Sequence, residues 1–234
     1  MKRALATLAV RYGLDERQQD QLTAILEELA ADEQAPTTVR DPEEAVDVHL
    51  ADSLIALELG VVAAAQGLVD LGAGAGFPGL ALAVALPASA VVLVESQARK
   101  CAFIERVIAA AEVENANVVC ARAEEWREGL GGADVVMARA LAAQAVVLEY
   151  AAPLLRMGGA LVDWRGRRDA EEEAAATAAA RELGLDLVEI RHVQPYASAH
   201  SHHLHVFTKA RETPARFPRR AGMARKRPLG GASR

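Results

Sequence analysis

Gly67-Leu-Val-Asp-Leu-Gly-Ala-Gly-Ala-Gly-Phe-Pro-Gly79 reads as a short buried strand (Leu68, Val69, Leu71), a glycine turn, and an apolar helix from Phe77 to Leu86. Gly72, Gly74 and Gly76 carry no Cβ, so the turn can adopt positive φ and let a ligand approach the backbone. Asp70 sets a carboxylate near the strand end. A second apolar run, Val91-Val-Leu-Val94, closes on Glu95. An acidic residue ending the strand that follows a glycine loop holds a ribose diol, because one carboxylate accepts from both hydroxyls. The stretch therefore predicts a nucleoside-cofactor site in an α/β sheet.

Two cofactors fit the loop. Gly74-Ala-Gly76-Phe-Pro-Gly79 matches the dinucleotide pattern G-x-G-x-x-G, which points to a nicotinamide-dependent oxidoreductase. Read one glycine earlier, Asp70-x-Gly72-x-Gly74-x-Gly76 is the acidic glycine loop of S-adenosylmethionine methyltransferases. The second register is favoured because it places Asp70 near the cofactor's ammonium group. Beside a pyrophosphate the same carboxylate would be repelled.

Outward from the loop, the chain reads as an alternation of strands and helices. Residues 2–32 form two amphipathic helices broken near Gly13, and Asp41-Pro-Glu-Glu44 caps a helix that carries His49-Leu-Ala-Asp-Ser-Leu54 and ends near Gly60. Gln97–Glu114 is a periodic helix with Arg99 and Lys100 in its first turn. Strand Asn117–Ala121 leads into Arg122-Ala-Glu-Glu-Trp126, and strand Asp134–Ala138 delivers Arg139 to the carboxyl-end rim where ligands collect. A helix to Arg156 stops at Gly158-Gly159. Strand Ala160–Trp164 then places Arg165 on the rim, Asp169–Leu183 is a solvated helix, and Leu187–His192 pairs with His203–Lys209 in a hairpin. His200, His202, His203 and His205 read as loop and surface residues rather than metal ligands, since alternation splits them between faces and no carboxylate adjoins them.

A chain of 234 residues with 52% hydrophobic content can bury one sizeable core. Cys101 and Cys120 sit in apolar contexts without C-x-x-C spacing and read as buried small hydrophobes, which suits a reducing cytosol. With no apolar run of about 18 residues, the expectation is a cytoplasmic protein with no membrane partner. Net charge is −6, yet from Lys209 onward nine basic residues face only Glu212, a surplus of eight that leaves −14 on the remainder. The prolines 214, 218 and 228 suit an extended basic arm that tracks phosphates.

Thr38-Val-Arg-Asp-Pro-Glu, His49-Leu-Ala-Asp-Ser-Leu54, the loop from Asp70 to Gly79, Arg122-Ala-Glu-Glu-Trp126, Ala138-Arg-Ala140 and the closing Thr213-Pro-x-x-Phe-Pro-Arg stand together in order and spacing. Together they resemble the bacterial ribosomal small-subunit RNA methyltransferase G family, also called glucose-inhibited division protein B. The likeness covers nearly the whole chain. It implies a Rossmann-like S-adenosylmethionine-dependent fold, a mostly parallel seven-stranded sheet with helices on both faces and an N-terminal helical extension. It also implies three parts: a helical extension (1–60), a methyltransferase domain (61–209) and a basic tail (210–234). The implied activity is methyl transfer to N7 of one guanine in 16S ribosomal RNA or the small ribosomal subunit, by a monomer.

The family's cofactor-contacting positions fall on Gly72, Phe77, Glu95, Ala123, Glu124 and Arg139, to which the loop reading adds Asp70 and Gly74. Its basic rim falls on Lys100, Arg122, Arg139 and Arg165, and the tail offers Arg219 and Arg220 to RNA. Arg139, His49 and Lys100 are the candidate catalytic residues. No metal is expected. Ala35 stands where the family often has Asn, and Arg165 where it often has Lys. Two other activities fit parts of the chain: the nicotinamide oxidoreductase above, and an RNA-binding assembly protein that keeps the cofactor site without turnover.

Overall fold

The computed structural model describes residues 1–39 and 41–230. Arg40 of the resemblance motif and Arg234 of the basic tail lie outside the described residues. The chain opens with α1 (Lys2–Tyr12), ended by Gly13 in the left-handed region, and α2 (Glu16–Ala31), whose Asp15 and Gln18 form a reciprocal capping box. Asp41 caps α3 (Pro42–Ala45) by accepting from the Glu43 and Glu44 amides. The helix expected from here to Gly60 is not regular. It widens to a π-turn at Val46–Ala51, continues as α4 (Asp52–Leu54), tightens to a 3₁₀ turn at Ile55–Glu58, and gives way to α5 (Gly60–Ala63). Periodicity alone cannot reveal such a bulge, and His49 sits within it.

The α/β portion follows as β1 (Gly67–Leu71), α6 (Gly79–Ala85), β2 (Ala90–Glu95), α7 (Ala98–Ala110), β3 (Ala116–Cys120), β4 (Ala133–Arg139), α8 (Gln144–Ala151), β5 (Leu155–Arg165), α9 (Ala170–Leu183), β6 (Leu185–Val193) and β7 (His202–Lys209), with a last turn α10 (Met223–Lys226). The described strands form one sheet in the order β3-β2-β1-β4-β5-β7-β6, in which β7 alone runs antiparallel to its neighbours. Strand alternation divides the core between the two faces. Leu68, Leu93, Val135 and Val162 pack with α1, α2, α6 and α7. Val69, Leu71, Val94, Val136 and Leu161 pack with α8, α9 and the C-terminal segment. Parallel strands covered on both faces bury both sets of side chains, which is why β1 and β2 read as near-continuous apolar runs.

Four expectations change here. Gly158 and Gly159 do not stop a helix: α8 ends at Ala151 and both glycines lie inside β5. A Cβ on Gly159 would stand 2.9 Å from the carbonyl oxygens of Ala133 and Asp134, so the pair marks a close strand approach at a register shift. The α9 helix is not solvated all round, since Ala176, Ala179, Ala180 and Leu183 bury one face. Cys101 is buried, but Cys120 is exposed at the end of an edge strand. His205 is 2% exposed and shares a hydrogen bond of 2.9 Å with Gln144, and burial pulls its pKa down to about 4.

The C-terminal segment is not an extended arm. Phe217 is buried in the core, Leu229 packs against the same cluster, and Arg219 forms a fork with the buried carboxylate of Glu149. The surplus charge that suggested an arm is partly spent in such pairs: Arg211 meets Asp186 and Arg216 meets Glu182. Arg219 is thereby committed to the fold rather than free for phosphate. Arg220 remains exposed.

Candidate active site

The carboxyl ends of β1, β2, β4 and β5 meet at one rim. After β1 the loop turns back: the Gly72 and Ala73 amides donate to Val94 O at 2.8 and 3.2 Å, and the Gly76 amide to Ala73 O at 2.7 Å. Gly72 has φ 70, and a Cβ there would stand 2.5 Å from Leu141 Cδ1, so both conformation and space require glycine. Glu95 braces this loop. Its carboxylate accepts from the Gly74 amide at 3.2 Å and the Gln97 amide at 2.9 Å.

Beside the loop lies a cleft of about 320 Å³, lined by Gly72, Val94, Gln97, Arg122, Ala123, Glu124, Leu141, Tyr150 and Arg225. Three of the expected cofactor contacts, Gly72, Ala123 and Glu124, therefore share one cavity. Asp70 does not face it. Its side chain turns under the loop, 1% exposed, with Oδ2 accepting from the Gly79 amide at 2.8 Å and Oδ1 buried without a partner. Burial pushes its pKa up to about 7, against the Gly79 amide and Arg139, which pull it down. A Cβ on Gly79 would strike that carboxylate at 2.8 Å, so Asp70 and the helix start are fitted to each other.

A second cavity of about 490 Å³ opens between the 37–52 segment, β4, β5 and the turn before β7. Thr37, His49, Asp52, Arg139, Trp164, Arg165, Tyr196 and His202 line it. Arg139 Nη1 donates to Asp52 Oδ2 at 2.8 Å and to Val48 O at 3.1 Å, which fixes the guanidinium. Trp164 Nε1 donates to Asp52 O at 2.8 Å. Arg165 is held by Ala142 O at 3.0 Å and by the Glu172 carboxylate. His49 stacks on Phe77 with centroids 4.7 Å apart and planes 6° from parallel, and its Nε2 lies 3.1 Å from Thr37 Oγ1. Phe77 thus links the glycine loop to the second cavity. Burial, with Arg139 adding to it, lowers the His49 pKa to about 4, so the ring is neutral near pH 7.

Consecutive residues after β4 line the two cavities: Arg139 and Ala140 line the larger and Leu141 the smaller. Ala140 holds φ 53, a left-handed conformation unusual for a residue with a side chain. Lys100, expected among the catalytic residues, lies in the first turn of α7 and lines neither cavity. The sequence reading missed Thr37, Trp164, Tyr196, Tyr150 and Arg225, and it took His202 for a surface residue. Their signal is tertiary; Asp52, by contrast, shares a helical face with His49 at i, i+3 and was legible from spacing.

The depressed His49 pKa has a measurable consequence. In the unfolded chain this imidazole takes up a proton near pH 6.5, whereas in the fold it does so only near pH 4. Its stabilising contribution is full above the unfolded value and is lost as pH falls through this window. His205 acts in the same direction. Asp70 and Asp163, raised to about 7 by burial, act oppositely and lose stability as pH rises toward that value. The Tm difference between the wild type and His49→Gln should therefore be largest above pH 6.5 and shrink toward pH 4. A difference independent of pH would contradict the buried, neutral ring.

This sheet order, the glycine loop after β1 and the acidic end of β2 define an S-adenosylmethionine-dependent methyltransferase. Solved structures show the same fold: a SAM dependent methyltransferase from Aquifex aeolicus (TM-score 0.56, 14% identity, 71% of this chain and 93% of that one). A 16S rRNA (adenine(1408)-N(1))-methyltransferase from Catenulisporales acidiphilia aligns with TM-score 0.53 at 20% identity, over 65% of this chain and 89% of that one. The profile described as rRNA small subunit methyltransferase G matches residues 18–202, and the chain belongs to that family. Relatives named ribosomal RNA small subunit methyltransferase G are 34% identical in Carboxydothermus hydrogenoformans (98% of this chain, 100% of the relative) and 38% identical in Chloroflexus aggregans (95% of each).

Proposed function

We propose that the chain methylates N7 of a guanine in 16S ribosomal RNA, with S-adenosylmethionine in the smaller cleft and the base in the larger cavity. The observation that carries this reading is the end of β4, where Arg139 and Ala140 line the larger cavity and Leu141, the next residue, lines the smaller. The cleft suits the cofactor on three counts. Its size falls within the range of small-molecule sites, Gly72 of the glycine loop lines it, and Glu95, bonded to the Gly74 amide, stands between the lining residues Val94 and Ser96 to receive the ribose. The cofactor supplies an electrophilic methyl group on a sulfonium.

The protein's own share is orientation. Guanine N7 carries a lone pair in the neutral base, so no residue need remove a proton. In-line placement is the main requirement. His49, neutral and stacked on Phe77, gives the cavity a flat apolar wall without adding positive charge. Arg139, pinned by Asp52 and Val48, presents a fixed cation to the larger cavity. Arg165, held by Glu172 and Ala142 O, lines the larger cavity beside it. Among the described residues no helix is long and apolar enough to cross a membrane. We read the protein as a cytoplasmic monomer of three parts, 1–60, 61–209 and 210–234, the described portion of the last, to residue 230, lying against the body.

The test is methyl transfer to small subunits from a strain lacking the modification, read by mass spectrometry of the isolated RNA. N7-methylguanosine at one position is expected. Methyl on an exocyclic amine or on another base would overturn the assignment. Glu95→Ala should weaken S-adenosylhomocysteine by about 1.5–3 kcal/mol, the loss of a charge-assisted hydrogen bond. Unchanged affinity in calorimetry would remove Glu95 from the ribose.

A further inference from the structure

We propose that the segment after β7 forms one wall of the cofactor cleft, with Arg225 covering the adenine ring. The proposal rests on reading the cleft of about 320 Å³ as the cofactor's. The basic C-terminal segment, which the sequence presents as an RNA arm, folds back onto the two loops that line this cleft. The Gly222 amide donates to Glu124 Oε1 at 2.9 Å, and Arg225 Nη2 donates to Leu141 O at 3.1 Å. Ala224 between them is buried in the same core as α8. Leu141 is also the side chain that a Cβ on Gly72 would strike, so the segment grips the residue packed against the glycine loop.

Arg225 itself lines the cleft, together with Tyr150 and Glu124. These three side chains share one end of it: burial raises the Tyr150 pKa, the Glu124 charge adds to the rise, and the Arg225 contact opposes it. Ala123 and Glu124, two of the expected cofactor contacts, also line the cleft, and a backbone amide beside an acidic side chain suits the edge of an adenine. A guanidinium is planar, weakly hydrated and stacks on π faces, so it suits the flat face of a purine. Because Gly222 and Arg225 are held by residues of the cleft walls, filling the cleft should also tighten the segment. Such coupling is reciprocal.

Calorimetry with S-adenosylhomocysteine on the full chain tests this, using wild type, Arg225→Ala, Lys226→Ala and Glu95→Ala. Arg225→Ala should raise Kd about three- to thirty-fold, the span of a cation–π contact from exposed to desolvated. Lys226→Ala removes the same charge one residue away and should leave Kd unchanged. If Arg225→Ala binds like wild type while Glu95→Ala binds weakly, the proposal fails and the cleft keeps its assignment. If neither changes, the assignment of the cleft fails and the proposal with it. Equal weakening by Arg225→Ala and Lys226→Ala would reduce the effect to general charge and overturn the stacking role. Hydrogen exchange on the unaltered protein gives a reading free of folding artefacts. The amides of 213–229 should slow when S-adenosylhomocysteine saturates the chain, and exchange that does not respond would overturn the coupling.

Discussion

Replacing Arg139 with alanine is expected to lower methyl transfer about a hundredfold or more, the usual cost of losing one oriented group at a reacting centre. The guanidinium lines the larger cavity, two residues before Leu141 of the cofactor cleft, and its direction is set by Asp52 Oδ2 and Val48 O. A rim arginine would be expected to contribute little to the core, but this one is only 18% exposed and pairs with an Asp52 side chain 8% exposed. Arg139→Ala therefore leaves a carboxylate buried without its partner, which costs about 3–5 kcal/mol. Activity and stability must be separated. Arg139→Ala combined with Asp52→Asn should recover most of the lost Tm and none of the turnover. Arg139→Lys should restore little of the turnover, because an ammonium is a compact point charge that lacks the planar guanidinium facing the cavity. A folded Arg139→Ala protein turning over like wild type would take Arg139 out of the site.

Arg219→Ala should be the most destabilising change in the C-terminal segment. Its Nε donates to Glu149 Oε1 at 2.7 Å and its Nη2 to the other carboxylate oxygen, while the Glu149 side chain is 1% exposed. Removing the arginine leaves that buried carboxylate of α8 without its partner, at a cost of about 3–5 kcal/mol. In a chain of this size each kcal/mol moves Tm by roughly 2–4 °C, so a fall of roughly 6–20 °C is expected. Arg219→Ala with Glu149→Ala should recover much of it, since neither charge is then left alone. Truncation after Lys209 should lower Tm as well, because it also removes the buried Phe217. An unchanged Tm in the truncated chain would restore the arm. A flattened salt dependence of RNA binding with no loss of stability would do the same.

What the sequence by itself determined was local. The run from Gly67 to Gly79 needs a strand, a turn with positive φ and a helix start, whatever surrounds it, so the glycine loop and the class of fold were legible from one stretch. Asp41 and Gly13 marked helix ends for the same reason: a side-chain cap and a left-handed glycine act on their own neighbours. The placement of Arg139 and Arg165 at the rim followed from counting strands, since parallel strands deliver their carboxyl ends to one edge.

Tertiary structure decided what each charged or polar side chain faces. Asp70 carries the same motif position whether it points at a ligand or under the loop, and only the close approach of Gly79 turned it inward. His202 and His205 differ by three residues on one strand, yet one lines a cavity and the other is sealed against Gln144. Charge counting could not foresee that Arg219 would find Glu149, because the partners are 70 residues apart. The energy of a charge depends on its depth and its nearest opposite neighbour, and both are properties of the folded chain.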